Sequence, residues 1–285
     1  MHYGITYRNK HSSEFGVIAK TKGRSLLPDM KTSAYDMPLS DGEFDFSEAN
    51  EYKRAFYKQR NFEVLMRICA DNMSELQKKA VKVSHWLCGR GDLIFDDCAG
   101  VKWDARVISN VTFTPERRGK TAELAVVFSA KPVGRAVFNT ADGISLGDAV
   151  MLDSNIPFDM TDRFVYELAE GRNSVDVVNM GDFYVRPKFI FDGAMSEIKV
   201  IYGKKAIEIN NINTPVVIDF ERCTVENKIS ESLISCMSGD FFEFPSGRTW
   251  ITVYTDKPAR LQIKYEPVTI YDFDFSDIDW GDDNA

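Results

Sequence analysis

The chain has 285 residues, 44% hydrophobic and 12% aromatic, with 35 Lys and Arg against 43 Asp and Glu for a formal net charge of −8. A length of this kind holds about two domains with sizeable cores, and the composition is that of a globular protein and excludes disorder except at the ends. The acidic balance, with no block of Lys or Arg, excludes a protein whose main task is to neutralise phosphates, and no apolar run approaches the roughly 18 residues of a membrane span.

The first residues, MHYGITYRNKHSSEF, lack the apolar stretch of a signal peptide, so the expectation is a chain made and kept in the cytoplasm. Short strands and turns open it, punctuated by Gly4, Gly16 and Gly23. Phe62, Val64, Met66 and Ile68 then alternate, which puts four apolar side chains on one face of a strand. From Asn72 the period changes. Met73, Leu76, Ala80, Val83 and Leu87 recur three or four apart, the stripe of an amphipathic helix and the one convincing helix of the chain. Asn72 with Glu75 three residues on predicts a capping box, and Gly89 or Gly91 is expected to take the left-handed conformation that ends the helix. Strands follow: Val101, Trp103, Ala105 and Val107 alternate with Lys102, Asp104 and Arg106, and Ala122, Leu124, Val126 and Phe128 alternate with Glu123 and Ala125.

A domain boundary is expected at Ala130–Gly134, where AKPVG closes the last of these strands with proline and glycine. Beyond it the chain is expected to be all-β. Turn signals at Asp192-Gly193, Tyr202-Gly203-Lys204, Asn210-Asn211, Ser238-Gly239 and Asp256-Lys257-Pro258 separate short runs such as Glu197–Tyr202, Ile207–Ile209 and Leu261–Tyr265, the spacing of a sandwich or barrel. Val216, Ile218 and Phe220 form one alternating set, and Trp250, Thr252 and Tyr254 alternate with Ile251 and Val253. Phe241, Phe242 and Phe244 lie between turns and need a core or a partner surface to cover them. No repeat of fixed period is present.

The chemistry-bearing residues form no catalytic cluster. Cys69, Cys88, Cys98, Cys223 and Cys236 are odd in number, scattered and without a C-x-x-C pair, so reduced thiols are expected. His85, Cys88 and Cys98 suggest zinc only until a fourth ligand is sought, and none stands at the customary spacing. Arg90-Gly91-Asp92 spells an integrin-ligand tripeptide, but three letters recur by chance and Gly91 has a helix-ending role. Asp277, Asp279 and Gly281 start like a calcium loop, yet the glycine falls at the fifth position and the bidentate Glu is missing. The segment is better taken as an arm that orders on docking, with Tyr271, Phe273 and Phe275 on one face and charge opposite. G-x-S-x-G, a Walker loop, H-E-x-x-H and a dinucleotide fingerprint are all missing, and histidine stands only at positions 2, 11 and 85.

In order, Tyr3–Pro28 (YGITYRNKHSSEFGVIAKTKGRSLLP), Ser84-His85-Trp86-Leu87, Leu93–Asp97 and Trp103–Arg106, then Asn179–Asp182 before Pro187, Val217–Asp219, and Ser238–Phe242 leading into Pro245-Ser246-Gly247, resemble the distal tail proteins (Dit) of siphophages, the long-tailed phages with non-contractile tails. The likeness spans nearly the whole chain. Two features depart from the pattern: Gly247-Arg248 stands where related chains often carry Gly-Asn, and the tail DFDFSDIDWGDD (Asp272–Asp283) has no counterpart in the family's core pattern.

What the resemblance implies is a mainly β fold with two domains and a tail. Residues 1–134 would be an N-terminal β-sandwich with one helix, six copies of which form a ring, residues 135–271 an outward galectin-like β-sandwich, and residues 272–285 an acidic tail. The implied function is a structural hub that joins the tail tube to the tail-associated lysin or tip protein, and in many phages holds receptor-binding proteins. That places it in the virion tail tip and, during assembly, in the host cytoplasm. No catalytic, cofactor-binding or metal-binding residue, no cofactor, no specific nucleic acid and no membrane insertion are expected. The alternative is a carbohydrate-binding adhesin that touches the host surface through the second domain, with Phe241, Phe242, Phe244 and Trp250 as a candidate sugar platform, although core packing is the default for such a run. A cell-wall hydrolase has no motif in its favour.

Overall fold

The computed structural model of the protein describes residues 4–39, 41–50, 53–116, 120–144 and 160–273. The fold is mainly β. The chain divides into two compact units, Met1–Gly134 with Ile270–Asp272, and Arg135–Thr269 with Phe273–Ala285.

In the first unit the strands are β1 (Ile5–Tyr7), β2 (Lys10–His11), β3 (Val17–Thr21), β4 (Ala34–Asp36), β5 (Glu43–Asp45), β6 (Arg60–Cys69), β7 (Arg90–Phe95), β8 (Cys98–Val107), β9 (Thr114–Pro115) and β10 (Thr121–Ala130). Helix α1 (Met73–Leu87) lies between β6 and β7. An antiparallel sheet runs in the order β2-β1-β7-β8-β10-β6-β3. Its end strands β2 and β3 are neighbours in sequence, joined by a 3-10 turn over Ser12–Phe15 and Gly16. Six flat inter-strand spacings would hold those edges about 29 Å apart, farther than a 3-10 turn rising about 2 Å per residue can reach. The sheet is therefore rolled, with one face enclosed.

Alternation decides which face that is. Phe62, Val64, Met66 and Ile68 of β6 stand directly opposite Phe128, Val126, Leu124 and Ala122 of β10, and all eight are buried. Val101, Trp103 and Ala105 of β8 join them, as do Leu93 and Phe95 of β7. Phe62 lies edge-on to Phe95 and to Trp103, each at 5.3 Å, and Tyr7 lies edge-on to Phe128 at 5.1 Å. Burial pushes the Tyr7 phenol above its ordinary pKa. Its hydroxyl donates to the carbonyls of Gly89 (2.6 Å) and Ala105 (3.3 Å).

Helix α1 packs Leu76, Val83, Trp86 and Leu87 inward, while Met73 at its first turn stays exposed. Asn72 caps it as expected, accepting from the Glu75 N–H at 3.0 Å. The reciprocal bond differs from a capping box, because the Glu75 carboxylate accepts from Asp71 N–H at 3.1 Å. At the other end Cys88 is extended, Gly89 turns the chain at φ 102°, and Gly91 is already inside β7. Gly91 is small for another reason: an added Cβ would lie 2.6 Å from Arg8 Cγ.

The second unit carries β11 (Gly134–Ala136), β12 (Val165–Leu168), β13 (Gly171–Asn179), β14 (Lys188–Asp192), β15 (Glu197–Tyr202), β16 (Lys205–Asn210), β17 (Val216–Asp219), β18 (Thr224–Asn227), β19 (Met237–Gly239), β20 (Gly247–Thr255), β21 (Ala259–Lys264) and β22 (Val268–Thr269). A four-residue helix, α2 (Met160–Arg163), also interrupts what the turn spacing predicts as all-β. Two five-stranded sheets, β12-β21-β14-β17-β18 and β13-β20-β15-β16-β19, contribute their inner faces to one apolar core, which makes a sandwich. Phe242 and Phe244 are both in it, packed with Phe189, Phe220 and Tyr202 at centroid separations of 4.9–6.1 Å.

The Asn179-Met180-Gly181 segment and the Pro245-Ser246 segment are tied together by side chains. Buried Asn179 donates to the carbonyls of Phe183 (2.8 Å), Phe244 (3.3 Å) and Pro245 (3.0 Å), and accepts from Gly181 N–H at 3.0 Å. The Ser246 hydroxyl donates to Gly181 O at 2.6 Å. Gly247 opens β20 with φ 84°, so glycine carries the unusual geometry and Arg248 after it keeps a negative φ.

Candidate assembly surface

Between β3 and β6 the chain leaves the rolled sheet for 38 residues, 22–59. Among the described residues of this arm Pro28 alone is buried. Its sequence explains why. Prolines, aspartates and serines break up the apolar residues into sets too short to fold a face under: Tyr35, Met37 and Leu39 alternate, as do Phe44 and Phe46, and each run stops after two or three residues.

The arm is nevertheless braced. Its two legs run side by side: Lys31 N–H donates to Phe56 O and Lys58 N–H to Asp29 O, each at 2.7 Å, around a bridge between Met30 and Tyr57. Toward the tip β4 and β5 pair from Ala34↔Asp45 to Asp36↔Glu43, and all six residues are exposed. Ser33 and Phe46 close the hairpin's base through Phe46 N–H to Ser33 O, 2.8 Å. The Ser47 hydroxyl and N–H hold the Asp45 carboxyl below the usual carboxylate range.

Leu26, Leu27, Met30, Tyr35, Met37, Leu39, Phe44, Phe46 and Phe56 project from this arm, nine of the eighteen large apolar side chains exposed among the described residues. Tyr35 is 63% exposed and Leu26 66%. A bare two-stranded hairpin is marginal in water, and an apolar group of this extent marks a surface that another molecule covers. Next to the arm's root, among the described residues, β3 pairs on one side only, with β6, and Ile18 on it is exposed. That strand presents an open edge.

Two arginines anchor the root. Arg60, 4% exposed, donates to the carbonyls of Ser25, Ile270 and Pro132, the last at 3.3 Å. Its guanidinium lies 5.0 Å from the Trp103 ring and 5.6 Å from that of Phe62. Arg24 pairs with Asp97 at 2.9 Å and lies between the rings of Phe95 (4.8 Å) and Tyr271 (5.3 Å). The returning segment Ile270–Asp272 thus shares its anchors with the root of the arm. Cys98 completes this corner with its thiol on Tyr271 O at 3.9 Å; burial, then the Asp272 charge, push that thiol up to about 12.

This combination, a rolled sheet with a projecting arm followed by a sandwich, matches known structures. The chain has the fold of SPP1 Dit. The match to that protein (gp 19.1), whose structure is described as a paradigm of the hub adsorption apparatus in phages infecting Gram-positive bacteria, has a TM-score of 0.67 and covers 93% of this chain and 98% of SPP1 Dit at 11% identity. Baseplate chains of phage P2 align at TM-scores of 0.45, with 11% identity in the calcium-activated form and 12% in the strontium form, covering 92% of this chain and 96% and 97% of theirs. Those values lie below a shared fold. No protein-family model matches the sequence, and neither does any curated protein. The SPP1 Dit likeness is therefore one of fold carried by almost no common sequence.

The other sequence-level candidates disperse. His85 and Cys88 are exposed and Cys98 is buried, and the described residues contain no group of three metal-ligating side chains. Arg90 of the Arg-Gly-Asp tripeptide lies in β7 and grips Asp104 through two bonds of 2.6 and 2.7 Å. Asp96-Asp97 forms a turn, where Asp96 accepts from or pairs with His11 at 3.1 Å. Of the supposed aromatic platform Phe242 and Phe244 are core and Trp250 is exposed. Phe275, Asp277, Asp279 and Gly281 of the acidic tail lie outside the described residues. No helix among the described residues is long and apolar enough to cross a membrane.

Proposed function

We propose that the protein is a structural hub of a phage tail tip. Copies associate through the first unit into a ring of six that joins the tail tube to the tail-associated lysin or tip protein, and the galectin-like second unit carries receptor-binding proteins. The observation that carries this proposal is the arm, which gathers half of the exposed large apolar side chains among the described residues, beside an open strand edge. The SPP1 Dit fold over nearly the full length of both chains supports it. Each arm lies on its neighbour, a heterologous contact that closes into a ring when the rotation permits. With a formal charge of −8 on each copy, such a ring repels a phosphate backbone and lets DNA pass without gripping it. The role is geometric and takes no cofactor.

Native mass and negative-stain imaging over about 1 to 100 µM protein test this. The expected result is an open-centred ring for the wild type and a monomer of unchanged circular dichroism for Tyr35→Asp/Phe44→Asp. A wild-type chain that stays monomeric at every concentration, alone and on purified tail tubes, overturns it.

A further inference from the structure

We infer that the outer face of the β13-β20-β15-β16-β19 sheet binds a pyranose ring, stacked on Trp250 and held by Arg248 and Asp176. This goes beyond the hub function and does not depend on it. Ile251 and Val253 point into the core, so Trp250, Thr252 and Tyr254 face outward, and Trp250 is 58% exposed. Asp176 of β13 is directly opposite Trp250 in the register, and Ser174 is opposite Thr252. The Arg248 guanidinium lies over one face of the indole, 5.0 Å from the ring centroid, so a sugar stacks on the other face, and it is held by Asp176 Oδ2, at 3.0 Å from Nε and 2.9 Å from Nη2. Beside Asp176 a cavity of about 170 Å³ opens, lined by Arg163, Phe164, Asp176 and Val178.

The chemistry of this face selects among occupants. A protein partner is recognised by a contiguous apolar patch with polar groups at its rim. Here Trp250 is the one exposed large apolar side chain among the described residues of the face, with Tyr254 and Ile201 half-buried behind it and Ser174, Thr252, Asp176 and Arg248 around it, so the exposed apolar area centres on one ring. A single-stranded nucleic acid also stacks on aromatics, but along a positively charged groove; Asp176 neutralises Arg248, and the chain carries a net charge of −8. A pyranose matches both halves. Its C–H face covers an indole, while its equatorial hydroxyls both donate and accept in the ring plane. A guanidinium has five N–H groups, of which Asp176 takes two, and the carboxylate accepts what the hydroxyls donate. The ion pair fixes both groups before a ligand arrives, which lowers the ordering cost of binding. The cavity beside Asp176 accommodates a substituent or the next sugar of a chain.

Saturation-transfer NMR on the full chain with the methyl glycosides of glucose, galactose, mannose, rhamnose and N-acetylglucosamine provides the test. At least one glycoside is expected to receive saturation. Trp250→Ala should weaken it about tenfold or more, which is about 1.4 kcal/mol, while Trp250→Phe keeps most of the affinity and Asp176→Asn loses part of it. Melting temperature and assembly state should stay at their wild-type values in all three, so a failure here is separable from failure of the hub. Saturation of none of the five glycosides by the wild type, or equal affinity in Trp250→Ala, overturns the inference.

Discussion

An added methyl group at Gly181 would lie 2.2 Å from the Val268 carbonyl oxygen and 2.7 Å from its nitrogen, and both are backbone atoms that no rotamer change can move aside. The same glycine receives Ser246 through its carbonyl and Asn179 through its N–H, so a shift of the chain there loosens the whole junction. Gly181→Ala is therefore expected to destabilise the second unit by about 1–3 kcal/mol, the cost of overpacking a site that cannot relax. Thermal melting checks this, and a midpoint within about 1 °C of wild type would show that Val268 yields freely. The sequence marks the position only through its resemblance to a family pattern. Nothing in the letters Asn-Met-Gly-Asp states that a strand 87 residues later, β22, passes against the glycine.

Elements with a repeating face were legible. The alternations in β6, β8 and β10 and the stripe of α1 are each written by burial against one core, and the structure places those residues inside, apart from exposed Met73 and half-buried Ala80 and Val107. The Phe241–Phe244 run follows the core-packing default read from its alternation: Phe242 and Phe244 turn inward together, Phe241 packs against the same core, and no platform is left. The arm was hard to read for a different reason: its alternating sets, Tyr35, Met37 and Leu39 and then Phe44 and Phe46, are only two or three residues long and stay exposed, so burial against a core does not extend them into a recognisable face. Its root does have an internal encoding in Arg60, a buried cation whose bonds reach Ser25, Pro132 and Ile270. Replacing it by Met keeps the apolar stem but leaves three carbonyls without that donor, and each charge-assisted bond contributes about 1.5–3 kcal/mol. Arg60→Met should raise amide exchange at residues 22–28 and 270–272 while the strands of the second unit keep wild-type protection. Arg60→Lys should not restore it, since one ammonium cannot span the positions that a planar fork reaches. Wild-type protection at both segments in Arg60→Met would refute the anchor.

On the scale of the whole molecule, the balance between apolar contact and charge decides how association responds to salt. Every copy brings a formal charge of −8, so bringing copies together works against like-charge repulsion. The surface assigned to association is dominated by Leu26, Leu27, Tyr35, Phe44 and Phe46, whose burial gains about 25 cal/mol per Å² and does not weaken with ionic strength. Two cations at the root of the arm are already committed within their own copy, Lys22 to Glu63 and Arg24 to Asp97. Raising NaCl shortens the Debye length from about 10 Å at 0.1 M toward about 3 Å at 1 M, which screens the repulsion and leaves the apolar term intact. The concentration at half-assembly is therefore expected to fall as salt rises, measured by sedimentation velocity across that range. A rise with salt would mean that ion pairs between copies hold the ring, and would move the assembly surface away from the arm to the charged outer faces of β7 and β8.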